Sequence, residues 1–293
     1  MRVNKLSLCT SKLDLYFHDV SLGSATGFIY KYGQTVALVS NWHVFAGINP
    51  ITGVGHRTGY HPNRVEFTLN VAGDERNSAL IRAEKAQLSV DGGECKWWRH
   101  GGYIDESGKK RIVDIGVLVL NEQLPDFEEI RDNIISVAAQ VIVNVDENDE
   151  PLNYEQGYPR VASDVFILGY PRGLTKQGVF PVWKRGTIAS EPLWNLEGNI
   201  PAMLVDAVTR EGMSGSPVFY FGSDITTASG EGGPLGSPAH EPWLIGVYAG
   251  RDGVTGDEIA MALGRVWHKR LLDEIIHDPV PGTFPLDEVQ NGW

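Results

Sequence analysis

The chain has 293 residues, of which 42% are hydrophobic and 21% charged, and 37 acidic against 25 basic residues give a formal net charge of −12. This composition is typical of globular proteins, and the length predicts one large domain or two half-domains that share a core. Because binding to nucleic acid and to anionic membranes depends on basic patches, the acidic balance predicts neither as a partner. We also expect no membrane span, since no apolar run approaches about 20 residues. We expect no export signal, because the N-terminal residues alternate polar and apolar side chains and show no apolar h-region followed by a cleavage site.

The cysteines and histidines predict neither a disulfide framework nor a metal site. Cys9 and Cys95 are the only cysteines, and secreted domains of this size more often carry several pairs, so we expect a reducing compartment, the cytoplasm. The eight histidines are scattered without the spacing of zinc ligands. We therefore expect no metal and no cofactor.

In chain order, short apolar runs rich in β-branched and aromatic residues recur between turn residues. Such runs are typical of β-strands, and their number and spacing favour a barrel or sandwich over a layered α/β fold. They lie at residues 27–33, 35–42, 64–71, 115–120, 163–170, 201–208, 216–221 and 243–250.

Helical pattern is sparse. Apolar residues recur at helical spacing over residues 266–277, and Pro279 follows the segment as a helix stop. A weaker helical pattern covers residues 126–139, and the acidic, turn-rich residues 144–160 are predicted to link two half-domains.

Three residues carry a chemical pattern when they are taken together. His43 follows an apolar run, Asp114 interrupts the apolar residues 111–120 of a predicted strand, and Ser214 lies in a glycine-bracketed turn before another strand. Each feature alone is most often structural. Their order of His, Asp and Ser, each beside an apolar strand, predicts a nucleophilic site.

The chemistry of acyl transfer explains why these residue types belong together. A serine hydroxyl becomes a good nucleophile when an imidazole takes its proton, and a carboxylate fixes the tautomer of that imidazole. The tetrahedral intermediate then requires N–H donors for its oxyanion. The main-chain amides of Gly212 and Ser214 are the candidate donors, because glycine allows the backbone to turn inward.

The segments TGF (26–28), NWHV (41–44), DIGVL (114–118) and GMSGSP (212–217) together resemble those of chymotrypsin-like serine peptidases. The resemblance is strongest to the bacterial trypsin-like and Deg-type (high-temperature-requirement) groups. It implies an all-β fold of two antiparallel six-stranded barrels with a C-terminal helix. It also implies a general base at His43, an orienting carboxylate at Asp114 and a nucleophile at Ser214, with the oxyanion hole at Gly212 and Ser214.

The same resemblance implies a division of the chain. Residues 1–143 would form the barrel that carries His43 and Asp114, residues 144–160 the linker, residues 161–265 the barrel that carries Ser214, and residues 266–293 a helix and tail. We expect no PDZ domain after the protease domain.

Two positions depart from the pattern of the trypsin-type zymogens. Met213 stands where those proteins have an aspartate that pairs with a newly cut N-terminus, so we expect no activation by N-terminal cleavage. Ser216 replaces the usual glycine and leaves the predicted triad intact.

The resemblance places the floor of the specificity pocket at Val208 and its wall on the strand that holds Tyr248, Ala249, Gly250 and Arg251. An apolar floor argues against substrates with lysine or arginine before the cleaved bond, because a buried ammonium would lack a counter-charge. Small or medium apolar side chains are favoured, with a substrate carboxylate bound by Arg251 as the alternative.

The sequence thus predicts a serine endopeptidase that is selective for few protein substrates. Three alternatives stay open: a protease fold gated by an activating protein partner, an inactive binding module, and an esterase or transferase with the same triad.

Overall fold

The computed structural model describes residues 3–49, 53–55, 58–73, 79–90, 93–138, 159–175, 179–221, 242–251 and 263–283. In these ranges the chain is built mainly of antiparallel strands. The strands before the predicted linker are β1 (Thr10–Phe17), β2 (Val20–Tyr32), β3 (Thr35–Ser40), β4 (Arg64–Ala72), β5 (Ala79–Gln87), β6 (Trp98–Arg99), β7 (Tyr103–Ile104), β8 (Lys110–Arg111), β9 (Gly116–Val119) and β10 (Val137–Ala138).

The strands after the predicted linker are β11 (Asp164–Gly169), β12 (Val182–Ile188), β13 (Ala202–Asp206), β14 (Pro217–Tyr220), β15 (Trp243–Arg251), β16 (Leu263–His268) and β17 (Val280–Pro281). The α-helices are α1 (Lys5–Cys9), α2 (Trp42–Ala46), α3 (Phe127–Ile130) and α4 (Lys269–His277), and 3₁₀ turns cover Arg131–Asn133, Pro171–Gly173 and Glu197–Asn199.

The first half of the chain forms a curved sheet in the order β17–β6–β9–β3–β2–β1–β4–β5, and β10 pairs with β2. A bridge between Ser89 and Cys95 and a hydrogen bond from Lys96 N to Leu88 O (2.9 Å) link the end of β5 to the start of β6. The sheet therefore curls around one apolar core. Its fully buried side chains include Leu13, Leu38, Leu69, Trp97 and Leu118.

The second half forms a closed six-stranded barrel in the order β11–β12–β13–β16–β15–β14. All six neighbouring pairs are antiparallel. Fully buried Ile167, Val205, Val218 and Val266 belong to its core. The all-β fold class with barrel architecture and a C-terminal helix is confirmed.

A third cluster of buried side chains joins the two halves. It contains Phe28 and Val39 from the first sheet together with Phe219, Val247 and Trp267 from the second barrel. Since burial of apolar area is the main favourable contribution to folding, this shared core holds the two halves against each other. The strand ends that border it carry the predicted site residues.

The C-terminal helix begins three residues later than the sequence predicts. Val266 and Trp267 continue β16, where they pair with Met203 and Ala202 of the barrel, so α4 starts at Lys269. Barrel pairing therefore overrides the helical spacing of these residues. After α4, β17 pairs with β6 of the first sheet, and the described end of the chain returns to the first half.

The predicted helical segment 126–139 and the predicted linker 144–160 have different outcomes. The weak helical pattern of residues 126–139 yields α3 and a 3₁₀ turn before β10. Residues 139–158, which include most of the predicted linker, lie outside the described ranges, so the division of the chain stays a prediction. None of the helices in the described part of the chain has the length and apolarity to cross a membrane.

Candidate active site

His43 lies on a one-turn helix at the end of a buried strand. Strand β3 ends at Ser40, and α2 runs from Trp42 to Ala46. Trp42 and Phe45 are fully buried and fasten this helix to the first core, whereas the His43 side chain is 23% exposed. The imidazole is thus held on a rigid element and still reaches the surface.

Asp114 lies in the loop before β9, rather than inside one long strand over residues 111–120 as predicted. Strand pairing ends at Arg111 and resumes at Gly116. This break turns the side chain toward His43, and the buried neighbours Val113 and Ile115 anchor the loop. Asp114 is only 3% exposed.

The Asp114 carboxylate binds both the side chain and the main chain of His43. Its Oδ2 lies 2.8 Å from His43 Nδ1, and its Oδ1 accepts a hydrogen bond from His43 N at 2.9 Å. Asn41 Nδ2 donates to the Asp114 carbonyl at 2.7 Å and fixes the loop. Because a carboxylate only accepts, His43 Nδ1 carries the proton and Nε2 of the neutral ring is the acceptor that a general base requires.

Ser214 lies in the turn between β13 and β14. Gly212 and Gly215 have φ angles of +89° and +83°, a left-handed conformation that favours glycine. Thr26 N donates to Ser214 O at 3.0 Å, and a methyl group on Gly215 would overlap Thr26 O and the Ser40 side chain. The turn is thus packed on the end of the strand that leads to His43.

His43 and Asp114 are hydrogen-bonded to each other. The turn that carries Ser214 packs through its main chain on Thr26 and on Ser40, at the end of the strand that leads to His43. Among the hydrogen bonds of the described residues there is none between Ser214 Oγ and His43. The side chains of the predicted triad are therefore only in part connected.

Within residues 212–216, the main-chain amides of Gly212 and Ser214 have no hydrogen-bond acceptor among the described residues. The amides between and after them are engaged: Met213 N donates to Arg210 O (3.3 Å), Gly215 N to Tyr248 O (2.9 Å) and Ser216 N to Met213 O (3.0 Å). The free amides are the two that sequence analysis assigns to oxyanion binding. They are available to a ligand oxygen.

The sequence model of the trypsin-like peptidase domain matches residues 25–222, more than half of the chain. The chain belongs to the trypsin-like peptidase domain family. This confirms the predicted resemblance and makes the protein a serine endopeptidase by class. A comparison of the sequence with curated proteins finds no match.

Solved structures that resemble this peptidase are distant in sequence. An inactive-form mutant of Rv3671c from Mycobacterium tuberculosis is 15% identical, with 93% of this chain and 86% of that chain covered and a TM-score of 0.41. A serine endoprotease from Yersinia pestis is 14% identical, with 92% of this chain covered and a TM-score of 0.46. The peptidase spans 62% of the Yersinia protein's chain.

Met213 and Ser216, the two departures from the zymogen pattern, are both buried in the peptidase. A methyl group on Gly169 would overlap Ser216 Oγ and lie 2.9 Å from Met213 Sδ, so both side chains pack over this glycine. Ser216 Oγ has no hydrogen-bond partner in the described ranges. The methionine fills the space beneath the turn with an apolar contact in place of an ion pair.

The predicted pocket residues fall into different environments. The Val208 side chain is 57% exposed, more than expected for a pocket floor, whereas Tyr248 is 1% exposed. Ala249 and Gly250 are half-buried. The side chain of Arg251 and residues 252–262 lie outside the described ranges, and the pocket assignment stays a prediction.

Sequence reasoning missed two residues that the structure places in the site region. Asn41 directly precedes the His43 helix and binds the Asp114 loop. Thr209 is buried and hydrogen-bonds with the Tyr248 hydroxyl. The position of Asn41 next to His43 is a signal that sequence alone offers; the pairing of Thr209 with Tyr248 has none, because 39 residues separate them.

Within the described ranges, no group of three or more His, Cys, Asp or Glu side chains is arranged to hold a metal ion.

Proposed function

We propose that this peptidase hydrolyses peptide bonds through an acyl-enzyme on Ser214. The observation that carries the proposal is the double contact of the Asp114 carboxylate with His43 Nδ1 and His43 N. This contact fixes the imidazole in the tautomer and orientation of a general base. The free amides of Gly212 and Ser214 support the assignment of the oxyanion hole.

In the proposed reaction, Ser214 Oγ attacks the carbonyl carbon of the substrate while His43 Nε2 takes the hydroxyl proton. The negative charge that develops on the carbonyl oxygen is stabilised by Gly212 N and Ser214 N. The C–N bond then breaks, and His43 gives its proton to the leaving amine. Water attacks the acyl-enzyme by the same route in reverse and frees Ser214.

We infer a preference for small or medium apolar side chains before the cleaved bond. The buried Tyr248 ring lies against Gly264, where a methyl group would overlap it, and its hydroxyl is bonded to Thr209. This buried ring beside the predicted pocket supports a shallow cavity. Cleavage of a peptide library tests the preference: selection of lysine or arginine at that position would contradict it.

We place the peptidase in a reducing compartment, with the cytoplasm as the specific proposal. Cys9 and Cys95 are both free, and burial raises the pKa of the Cys9 thiol to about 12 and that of Cys95 to about 11. Their thiolate fractions at neutral pH are therefore very small. The proposed partners are protein or peptide substrates, with neither nucleic acid nor membrane.

The alternative function is a protease fold that a protein partner switches on. The observation that favours it is that, in the part of the chain described, Ser214 Oγ makes no hydrogen bond to His43. A partner that moved the turn would complete the triad.

Labelling with a fluorophosphonate, followed by intact-mass measurement, tests the proposal against this alternative. We expect one adduct on the wild type and none on Ser214→Ala. Ser216→Ala, which removes a second serine hydroxyl from the same turn, is the matched control and should still be labelled. A folded wild type without an adduct would contradict the proposal for the free protein and favour gating.

A further inference from the structure

The buried residue Thr26 of β2 joins three segments around the turn that carries Ser214. Its hydroxyl donates to Gly212 O at 2.7 Å and accepts from Tyr170 N at 3.0 Å. Its main-chain N–H donates to Ser214 O at 3.0 Å, and its carbonyl accepts from Ser40 Oγ at 2.8 Å. Every polar atom of Thr26 is thus engaged, and none of the side chain is exposed.

We propose that Thr26 is a positioning residue that holds residues 210–216 in the conformation required for oxyanion binding. The inference rests on the proposed function, since it assigns a task to the same turn. It differs from the triad assignment because Thr26 would act through Gly212 and Ser214 and would not touch the substrate.

The geometry of peptide units explains how the hydroxyl and the main-chain N–H of Thr26 together can set the direction of an amide. A peptide unit is planar, and its C=O and N–H point in opposite directions. The Thr26 hydroxyl donates to the carbonyl of Gly212, and the Thr26 main-chain N–H donates to the carbonyl of Ser214. These two carbonyls belong to the peptide units on either side of the Met213–Ser214 unit. The Ser214 N–H therefore lies between two fixed planes, although neither of its own atoms is bound by Thr26.

The Thr26 hydroxyl also influences the second oxyanion donor, the Gly212 N–H, through the hydrogen bond that it accepts from Tyr170 N. The Gly212 N–H belongs to the peptide unit whose carbonyl, Glu211 O, accepts from Arg172 N at 2.6 Å. Arg172 has a φ of +54°, which a non-glycine residue adopts only when its surroundings hold it there. The hydrogen bond from Tyr170 N to the Thr26 hydroxyl holds this segment in place.

Among the described residues, no ion pair fixes residues 210–216, and the Thr26 hydroxyl lies beneath this turn. A methyl group on Gly169 would lie 2.8 Å from Thr26 Oγ1 and 2.9 Å from Met213 Sδ, so the hydroxyl and the thioether are neighbours beneath the turn. The thioether is at most a weak acceptor. Among these buried side chains, Thr26 makes a directional contact with the turn, to Gly212 O, whereas Ser216 Oγ has no hydrogen-bond partner in the described ranges.

The test compares Thr26→Val, which keeps the size and main chain of the residue, with Thr26→Ser, which keeps the hydroxyl. Thr10→Val is the matched control, because Thr10 is equally buried and its hydroxyl donates to Leu6 O, in α1. The readouts are the rate constant of fluorophosphonate labelling, kcat and KM on one peptide substrate, and the melting temperature.

We expect Thr26→Val to lower the labelling rate and kcat about 10- to 100-fold, because a donor displaced by about 1 Å loses most of its effect. KM should change by less than about 3-fold, and Thr26→Ser should restore at least about a third of wild-type kcat. Thr10→Val should lower the melting temperature without changing either rate. Wild-type labelling of Thr26→Val, or no rescue by Thr26→Ser, would overturn the proposal.

Hydrogen exchange over residues 210–216 separates this inference from the proposed function. It requires no catalysis, so it decides the point even for a wild type that takes no label. Faster exchange of this segment in Thr26→Val than in Thr10→Val supports the positioning role, and equal exchange overturns it. If Thr26→Val does not fold, Thr26→Ala, which also lacks the hydroxyl, replaces it with the same expectations.

Discussion

The base side and the nucleophile side of the site are held by different means. His43 and Asp114 both belong to the first half, and the Asp114 carboxylate binds the main chain and the ring of His43 at once. The turn around Ser214 belongs to the second half. It is held by Thr26 and by close backbone packing on Ser40, both from the first half.

The two parts of the chemistry therefore depend on different parts of the fold. The proton-accepting pair is formed by two residues of the first half, whereas the nucleophile and oxyanion donors depend on how the two halves meet. Changes on the base side should therefore alter the reaction with little effect on folding. Changes in the turn should weaken both together.

The largest effect is expected from Asp114→Asn. An amide in place of the carboxylate favours the wrong tautomer of His43, so kcat should fall about 10⁴-fold with little change in melting temperature. Peptide hydrolysis and thermal unfolding measure the two quantities. Asp105→Asn, which removes the carboxylate that pairs with Arg111 in the same half, is the control and should leave kcat unchanged. Retention of a tenth of wild-type kcat by Asp114→Asn would remove Asp114 from the mechanism.

A large loss of stability is expected of Gly215→Ala on the nucleophile side. A methyl group there meets Thr26 O and Ser40 in addition to the strain of a φ of +83°, so the free energy of unfolding should fall by about 3 kcal/mol or more. Gly108→Ala is the matched control: Gly108 has a φ of +79° but open space around it, and should cost only about 1 kcal/mol. Urea unfolding of both variants measures the difference, and equal losses would show that the close packing of the turn contributes nothing.

A smaller effect is expected from Asn41→Ala, which tests how the loop that carries Asp114 is held. The substitution removes the hydrogen bond to the Asp114 carbonyl but leaves the bond between Asp114 and His43. We expect kcat to fall about 10-fold, equal to about 1.4 kcal/mol, because the carboxylate is less well placed. Steady-state kinetics checks this value; a loss as large as that of Asp114→Asn would show that the loop has no support other than Asn41.

The smallest effect concerns the pH dependence of the second barrel. Burial, aided by the charge of Arg270, lowers the pKa of His268 to about 4. Below the unfolded pKa of about 6.5 the unfolded state takes up a proton that folded His268 does not, so stability falls as pH drops from about 6.5 toward 4. Between pH 7.5 and 5.5 the loss should be about 1 kcal/mol.

His268→Gln tests this expectation, because it removes the titrating group from the barrel. The variant should lose less stability than the wild type when urea unfolding is repeated at pH 7.5 and pH 5.5. The same acid loss in both proteins would show that other groups determine it.

Much of the architecture follows from local pattern. Alternating apolar runs predict the strands that build the barrels, and the glycines around Ser214 predict a tight turn whose φ angles are indeed positive at Gly212 and Gly215. These features are local, since strand alternation and turn conformation involve residues that are close in the chain. The assignment of the triad itself rests on the resemblance and stays a proposal.

Other features could not be read from local pattern. The helical spacing of Val266 and Trp267 gives way to barrel pairing, and Asp114 leaves the strand that its neighbours predict. Val208 is exposed at the predicted pocket floor, while Tyr248 is buried and bonded to Thr209. In each case, tertiary pairing or packing overrides the preference of the segment.

The fold class and the family could be predicted from the amino-acid sequence, together with the candidate identities of the base, the carboxylate and the nucleophile, because strand periodicity and short motifs are local features of the chain. What holds the nucleophile turn became visible in the three-dimensional structure. Thr26 and Gly212 are 186 residues apart, and their hydrogen bond forms only where the curved first sheet meets the closed barrel of the second half. No local pattern encodes such a contact, because the contact depends on sheet closure and on the shared core between the halves.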